Sequence, residues 1–168
     1  MNYFQLFNIS QKFKIDIKNL LLKFYELQEK YHPDAQYNNS THKHKNYLNK
    51  SIHINKGYHI LKDPLKRAEY LLFLNSYNFK KEQKNLSQNI FLNEQLKLYE
   101  KLDMIKKTKK KKAELHYLSN IIEHKKKHYL LELELMFNEK KWKLAGITLY
   151  KLLFYKKFEN KLNELKYE

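Results

Sequence analysis

The chain has 168 residues, 42% of them hydrophobic, with 34 lysines and arginines against 18 aspartates and glutamates, a net charge of +16. That length makes one ordinary domain or two small ones, and a module of about 70 residues is only marginally stable alone. With no cysteine, disulfides, thiolate metal sites and cysteine nucleophiles are excluded; with two glycines, two prolines and no valine, turns are few and strands disfavoured, so long helices are expected.

No apolar run approaches the roughly 20 residues that span a bilayer. Met1-Asn2-Tyr3-Phe4 lacks the basic-then-apolar layout of a secretory signal. A soluble cytoplasmic protein with no membrane partner is therefore expected. The charge invites a second reading, a basic helical nucleic-acid-binding protein. Against it, Arg67 is the single arginine among the 34 basic residues. Base edges and phosphates favour arginine. The chain is also rich in Lys, Asn, Ile, Tyr and Phe and poor in Gly, Ala, Val and Arg, the pattern of a gene under AT bias. Much of the charge thus reads as compositional drift, and no nucleic-acid partner is expected.

In chain order, residues 2–8 form a short apolar element with Tyr3, Phe4, Leu6 and Phe7. Asp16 is a good N-cap before a helical run, Leu20, Phe24, Leu27 and Tyr31, its face widened by Leu21 and Leu22. This helix should end near His32, because a residue before proline is pushed out of the α region. Residues 35–45 are polar and predict an exposed loop. A second long helix is predicted from about Asn46 to Leu61, through Leu48, Ile52, Ile54 and Tyr58. Asp63 then caps and Pro64 starts a short helix to about Leu74. Residues 76–88 read as a linker between a first module, 1–75, and a second, 89–168. The second module predicts three helices, at about 89–107, 111–137 and 139–166, and short connections favour an antiparallel bundle. Lys106 to Lys112 reads as a solvated turn and helix start. Trp142, Ala145, Leu149 and Leu152 form the core stripe of the last helix.

His32-Pro33-Asp34 falls between the two long helices of the first module. Taken alone it is a helix stop, with proline ending the helix and aspartate opening a turn. It also stands at the tip of a helical hairpin, where a proline-fixed corner presents an imidazole and a carboxylate at small entropic cost. Lys18, Lys23 and Lys30 on the preceding helix supply charge that steers an acidic partner toward it.

In the second module, helical arithmetic at about 100° per residue puts Phe91, Leu98, Leu102 and Ile105 on one stripe, assigned to the core. Leu92, Leu96 and Tyr99 fall a quarter-turn to a third-turn away. By pattern alone, that second face is either a docking surface or part of a wide core.

Together these features resemble a J domain, the module that stimulates the ATPase of heat-shock chaperones. Tyr3-Phe4-Gln5-Leu6-Phe7 is similar to its opening helix and Tyr31-His32-Pro33-Asp34 to its signature turn. Ile54-Asn55-Lys56-Gly57-Tyr58 through Asp63-Pro64-Leu65-Lys66-Arg67-Ala68-Glu69-Tyr70-Leu71-Leu72 is similar to its third and fourth helices. The resemblance narrows to the HscB family of iron–sulfur co-chaperones and covers nearly the whole chain. Phe91-Leu92-Asn93-Glu94-Gln95-Leu96 with Glu100, Leu102 and Asp103 resembles the start of that family's C-terminal bundle. Trp142 and Lys151-Leu152-Leu153-Phe154 resemble its last helix.

The resemblance implies an all-α protein, an N-terminal J domain of helical hairpin and short helices followed by a C-terminal antiparallel three-helix bundle. It implies a co-chaperone rather than an enzyme, one that brings an IscU-like scaffold to an HscA-like chaperone and stimulates its ATPase. His32, Pro33 and Asp34, with Lys23 and Lys30, are the implied chaperone-binding residues, and Asp34 is placed to pair with a partner arginine. Leu92, Leu96, Glu100 and Phe154 are the implied scaffold patch. Asn93, Lys97 and Met104 stand where an apolar residue and two acids are expected, and Ala35, Asn8 and Gly57 also deviate. These changes bear on stability or affinity rather than identity. A J-domain protein with another client is the nearest alternative.

His124 and His128 lie one helical turn apart, and His42 and His44 lie in the polar stretch. They read as exposed polar positions rather than a metal pair, so no metal or other cofactor is expected. Arg67 reads as a structural residue, paired with Asp63 or Glu69 or stacked on a tyrosine. No phosphate loop, nucleophile elbow or catalytic constellation is present.

Overall fold

The computed structural model describes residues 1–31, 41–86, 91–109 and 111–166. All regular structure among them is helical: α1 (Tyr3–Leu6), α2 (Ile17–Tyr31), α3 (Thr41–Lys62), α4 (Pro64–Leu74), α5 (Phe79–Leu86), α6 (Leu92–Lys106), α7 (Lys111–Asn138) and α8 (Trp142–Lys166). No helix among the described residues is long and apolar enough to cross a membrane. The packing divides the chain into two units, Met1–Leu71 and Leu72–Glu168.

In the first unit, side-chain oxygens start three helices, as the sequence predicts for two of them. Asn2 and Gln5 form a reciprocal capping box at α1. Asp16 Oδ1 accepts from the Lys18 and Asn19 amides at 2.9 and 3.1 Å. Asp63 Oδ1 accepts from the Leu65 and Lys66 amides at 2.8 and 3.1 Å. α2 and α3 run antiparallel: Phe24 stacks on Tyr58 with centroids 4.2 Å apart, Gln28 donates to Asn55, and Tyr31 meets Tyr47. Leu20, Ile54, Tyr58 and Leu61 are buried with Phe4, Phe7 and Phe13.

The spacing of α3 differs from its sequence reading in two ways. Among its described side chains the buried residues are Ser51, Ile54, Gly57, Tyr58 and Leu61, while Leu48 and Ile52 are exposed. It also begins at Thr41, within the predicted loop. Its first turns hold no apolar residue, so the periodic signal that marks a helix is missing there. Residues 35–40 lie outside the described residues.

Arg67 is buried, and its guanidinium bridges two backbone carbonyls, Nε donating to Phe13 O at 2.7 Å and a terminal nitrogen donating to Leu61 O. The guanidinium lies over the Phe13 ring, 5.3 Å from its centroid. Of the structural roles the sequence offered, the stack is made on a phenylalanine rather than a tyrosine, and Asp63 contributes its charge. Burial pushes the Arg67 pKa below its usual value, against the opposing charge of Asp63.

The second unit is an antiparallel bundle. α7 and α8 form a hairpin tied by Phe137 against Trp142, Thr148 Oγ1 donating to Glu132 at 3.1 Å, and Tyr129 stacked on Tyr155 at 5.6 Å. α6 closes the core, its Phe91, Leu98, Leu102 and Ile105 buried with Leu115, Leu118 and Ile122 of α7 and Tyr155, Phe158 and Leu162 of α8. Residues that read as linker form α5, which starts from an Asn78 cap and packs on α8. α5 is mostly polar and buries Phe79, so its composition hid a helix whose stability comes from packing.

Among the described residues, three helices end in a left-handed residue: Asn8 (φ 50°), Ser76 (φ 61°) and Lys140 (φ 57°). Each is the penultimate residue of a Schellman motif. The paired bonds are Ile9 N to Phe4 O with Asn8 N to Gln5 O, Tyr77 N to Leu72 O with Ser76 N to Phe73 O, and Lys141 N to Met136 O with Lys140 N to Phe137 O. Glycine, the usual occupant, fills none of these places. The two glycines serve close approach instead. A Cβ on Gly57 would stand 2.6 Å from Tyr3 Cδ1, and one on Gly146 would stand 2.7 Å from Tyr77 Cε1.

The Tyr3 ring is flanked by His53 and Tyr70 at 5.0 and 4.9 Å and has little room to yield. Gly57→Ala should therefore destabilise the first unit by about 1 kcal/mol, overpacking outweighing the gain in helix propensity. Denaturant unfolding checks this, and unchanged stability would mean the ring moves aside. Lys140→Gly should do the reverse, stabilising the second unit by about 0.5–1 kcal/mol through relief of the left-handed strain. Trp142, the sole tryptophan, reports that transition.

Candidate functional site

His32, Pro33 and Asp34 lie outside the described residues, on the segment that joins α2 to α3. The two flanking lysines on α2 are described. Lys23 is about one-third exposed and pairs with Glu26 at 2.9 Å. Lys30 is exposed, its ammonium 5.5 Å from the Tyr31 ring. Seven residues apart, they share one side of the helix. Lys18, Leu22, Tyr25 and Glu29 share the outward face, where Leu22 and Tyr25 are 62% and 61% exposed. Leu22 therefore does not widen the core face, as the sequence reading had it. Its position was available from spacing, since it lies about 200° round from Leu20 at 100° per residue.

On α6 the two possible roles of the second face are separated. Leu92 and Leu96 are 46% and 50% exposed, and Glu100 is exposed beside them. Tyr99 and Phe154 are half-buried, packed on the core cluster. Phe154 of α8 meets Phe91 edge-on at 5.3 Å, stacks on Phe158 at 5.8 Å and lies 6.1 Å from Tyr99. Leu92 and Leu96 thus stand outward on a helix that a buried stripe fixes from behind, with the Phe154 and Tyr99 rings along one flank. Asn93, Lys97 and Met104 are exposed on the other. The arrangement suits binding of a folded partner through apolar side chains. His124 and His128 are also exposed, the latter 4.0 Å from Glu132.

A polar cluster lies behind the face and escaped sequence reasoning. Glu94 Oε1 accepts from Lys125 Nζ of α7 and from the Tyr155 hydroxyl of α8. Burial pushes the Glu94 carboxyl up, but the hydrogen bonds from Lys125 and Tyr155 and the charges of Lys125 and Lys151 outweigh it and hold the group below the usual carboxylate range. Tyr155 moves the other way, raised first by burial and then by the Glu94 carboxylate.

The comparisons with known proteins fit this geometry. The family model described as the HSCB C-terminal oligomerisation domain matches residues 87–163, which includes all of α6 and α7. The co-chaperone protein HscB of Buchnera aphidicola subsp. Acyrthosiphon pisum (strain APS) is 44% identical over 164 residues, 98% of this chain and 94% of its own. The chain belongs to the HscB family of co-chaperones. A Vibrio cholerae HscB homolog (serotype O1, strain El Tor Inaba N16961) is 33% identical over 165 residues, 98% of this chain and 96% of its own. The solved chaperone HscB from Vibrio cholerae superposes with a TM-score of 0.86 at 31% identity, covering 99% of this chain and 98% of that one. Human co-chaperone protein HscB superposes with a TM-score of 0.88 and covers 99% of this chain and 82% of that one; at 24% identity the likeness is one of fold. The first unit is accordingly the J domain of an HscB-type co-chaperone and the second its C-terminal helical bundle.

Because its folded-state pKa is depressed, ionised Glu94 stabilises the second unit above the ordinary glutamate range, and that stabilisation is lost as pH falls through the folded value. Glu94→Gln should be less stable than the parent at neutral pH, with the gap narrowing in acid. Unfolding followed by Trp142 fluorescence across pH measures the gap, and a gap independent of pH would contradict the assignment.

Proposed function

We propose that this co-chaperone binds an IscU-like iron–sulfur scaffold through the Leu92, Leu96, Glu100 and Phe154 face. We further propose that it delivers the scaffold to an HscA-like chaperone in the cytoplasm and stimulates that chaperone's ATPase. The observation that carries the reading is the outward stance of Leu92 and Leu96 on α6, within a chain of this family. Two exposed leucines one turn apart, rimmed by Glu100, supply the apolar anchor and polar edge of a protein interface. The J domain supplies the second contact, through His32, Pro33 and Asp34 with Lys23 and Lys30. The protein performs no chemistry itself. It favours the hydrolysis-competent state of the chaperone by binding that state better, a population shift set by differential affinity.

An ATPase assay with chaperone, scaffold and this protein, singly and together, tests the reading. Stimulation should be synergistic when scaffold and co-chaperone are both present. Asp34→Asn should abolish stimulation and leave helicity unchanged. Leu92→Ala combined with Leu96→Ala should abolish scaffold retention and synergy while preserving stimulation by the co-chaperone alone. Full synergy from the double leucine variant would move the client site elsewhere.

A further inference from the structure

The front of α6 offers Leu92 and Leu96, and one carboxylate grips its back. Glu94 stands about 160° round the helix from each of them at 100° per residue. At the start of α6, Phe91 is buried against Phe154 and Tyr155 and Gln95 donates to the Tyr150 hydroxyl at 3.5 Å, but among the described residues no charged group other than Glu94 ties the first turn to both neighbouring helices. Phe91, its N-cap, makes no side-chain capping hydrogen bond, and the next buried core residue along the helix is Leu98. Glu94 fills that gap, its Oε1 shared between Lys125 of α7 and Tyr155 of α8. Tyr155 is fully buried, stacked on Tyr129, with the Lys125 ammonium 5.6 Å from its ring centroid. Lys151 lies over the Tyr129 ring at 5.1 Å. The residue before Tyr155 is Phe154, whose ring reaches Phe91 and Tyr99. A single carboxylate thus ties three helices together at the level of the exposed leucines.

We propose that Glu94 is a positioning residue for client docking, holding the first turn of α6 against α7 and α8 so that Leu92, Leu96 and Phe154 form one rigid face. This rests on the docking reading above. A face held rigid before binding loses less conformational entropy when a partner arrives. Removing the carboxylate leaves the Tyr155 hydroxyl to Tyr129 and the partly exposed Lys125 ammonium to water, so α6 loses its polar tie to α7 and α8 and its first turn loosens. Farther along α6, Leu98, Leu102 and Ile105 keep their core contacts, so the loosening stays local.

The test uses the full chain with Glu94→Gln, Tyr155→Phe, Lys125→Met and the Glu94→Gln/Lys125→Met pair. It measures scaffold affinity, chaperone ATPase stimulation without scaffold, and amide hydrogen exchange along α6. Each single variant should lose about tenfold in scaffold affinity, and the pair should lose no more than its worse member, because the groups act as a unit. Stimulation without scaffold should be unchanged. Exchange should quicken much more at the Leu96 amide than at Leu102 and Ile105, which follow only the change in global stability. Parental scaffold affinity in Glu94→Gln would overturn the proposal. So would exchange quickened evenly along α6, the mark of a general stability residue. Leu92→Ala with Leu96→Ala is the separating arm. If it loses the scaffold and Glu94→Gln does not, only the positioning role fails; if it keeps the scaffold, the docking reading fails and the proposal with it.

Discussion

Burial of the Phe91, Leu98, Leu102 and Ile105 stripe against α7 and α8 is what leaves Leu92 and Leu96 facing outward. A 15-residue helix has little stability in water by itself, and its tertiary face has to supply the rest. Four buried apolar side chains, each stabilising by roughly 1.5–3 kcal/mol, are enough to hold α6 without recruiting its second apolar face. That surplus face is what the proposed docking of a client requires. Were Leu92 and Leu96 needed for the core, the bundle would have no apolar surface at this point to offer. The Glu94 carboxylate adds direction to this arrangement, since apolar burial alone does not fix the rotation of a first turn that lacks a side-chain cap.

The same logic explains why one arginine survives among so many lysines. Among the described residues the lysines are solvated, paired with carboxylates or placed over rings, as Lys50 is on Tyr31 and Lys161 on Tyr99, each at 4.8 Å. Their long stems cover tyrosine surface while their ammonium groups reach water. Compositional drift toward lysine and tyrosine therefore costs such positions little. Arg67 is different, because two carbonyls and the Phe13 ring all need to be served by one buried group. A planar fork with several donors does this, and a single ammonium does not. The chain is also poor in glycine, yet Schellman endings stand on Asn8, Ser76 and Lys140. The two glycines, Gly57 and Gly146, sit where a Cβ would strike an aromatic ring, so any other residue there requires that ring to shift.

Much of this protein was written in local sequence. The Asp16 and Asp63 caps, Pro64 at a helix start and the apolar stripes of α6 and α8 determine helix positions, because capping and 3.6-residue periodicity act within a few residues. The likeness of the whole chain to HscB co-chaperones was legible for the same reason, in short motifs held in register. What local signals could not carry, the tertiary structure decided. α5 and the polar first turns of α3 are helical without a strong stripe of their own, and Leu22 faces outward because packing uses Leu20 instead. The choice between core and surface for Leu92 and Leu96 depended on how much area α7 and α8 cover. The Glu94, Lys125 and Tyr155 cluster joins residues about 30 and 60 positions apart, and only the antiparallel turn of the bundle brings their charges and hydroxyl together.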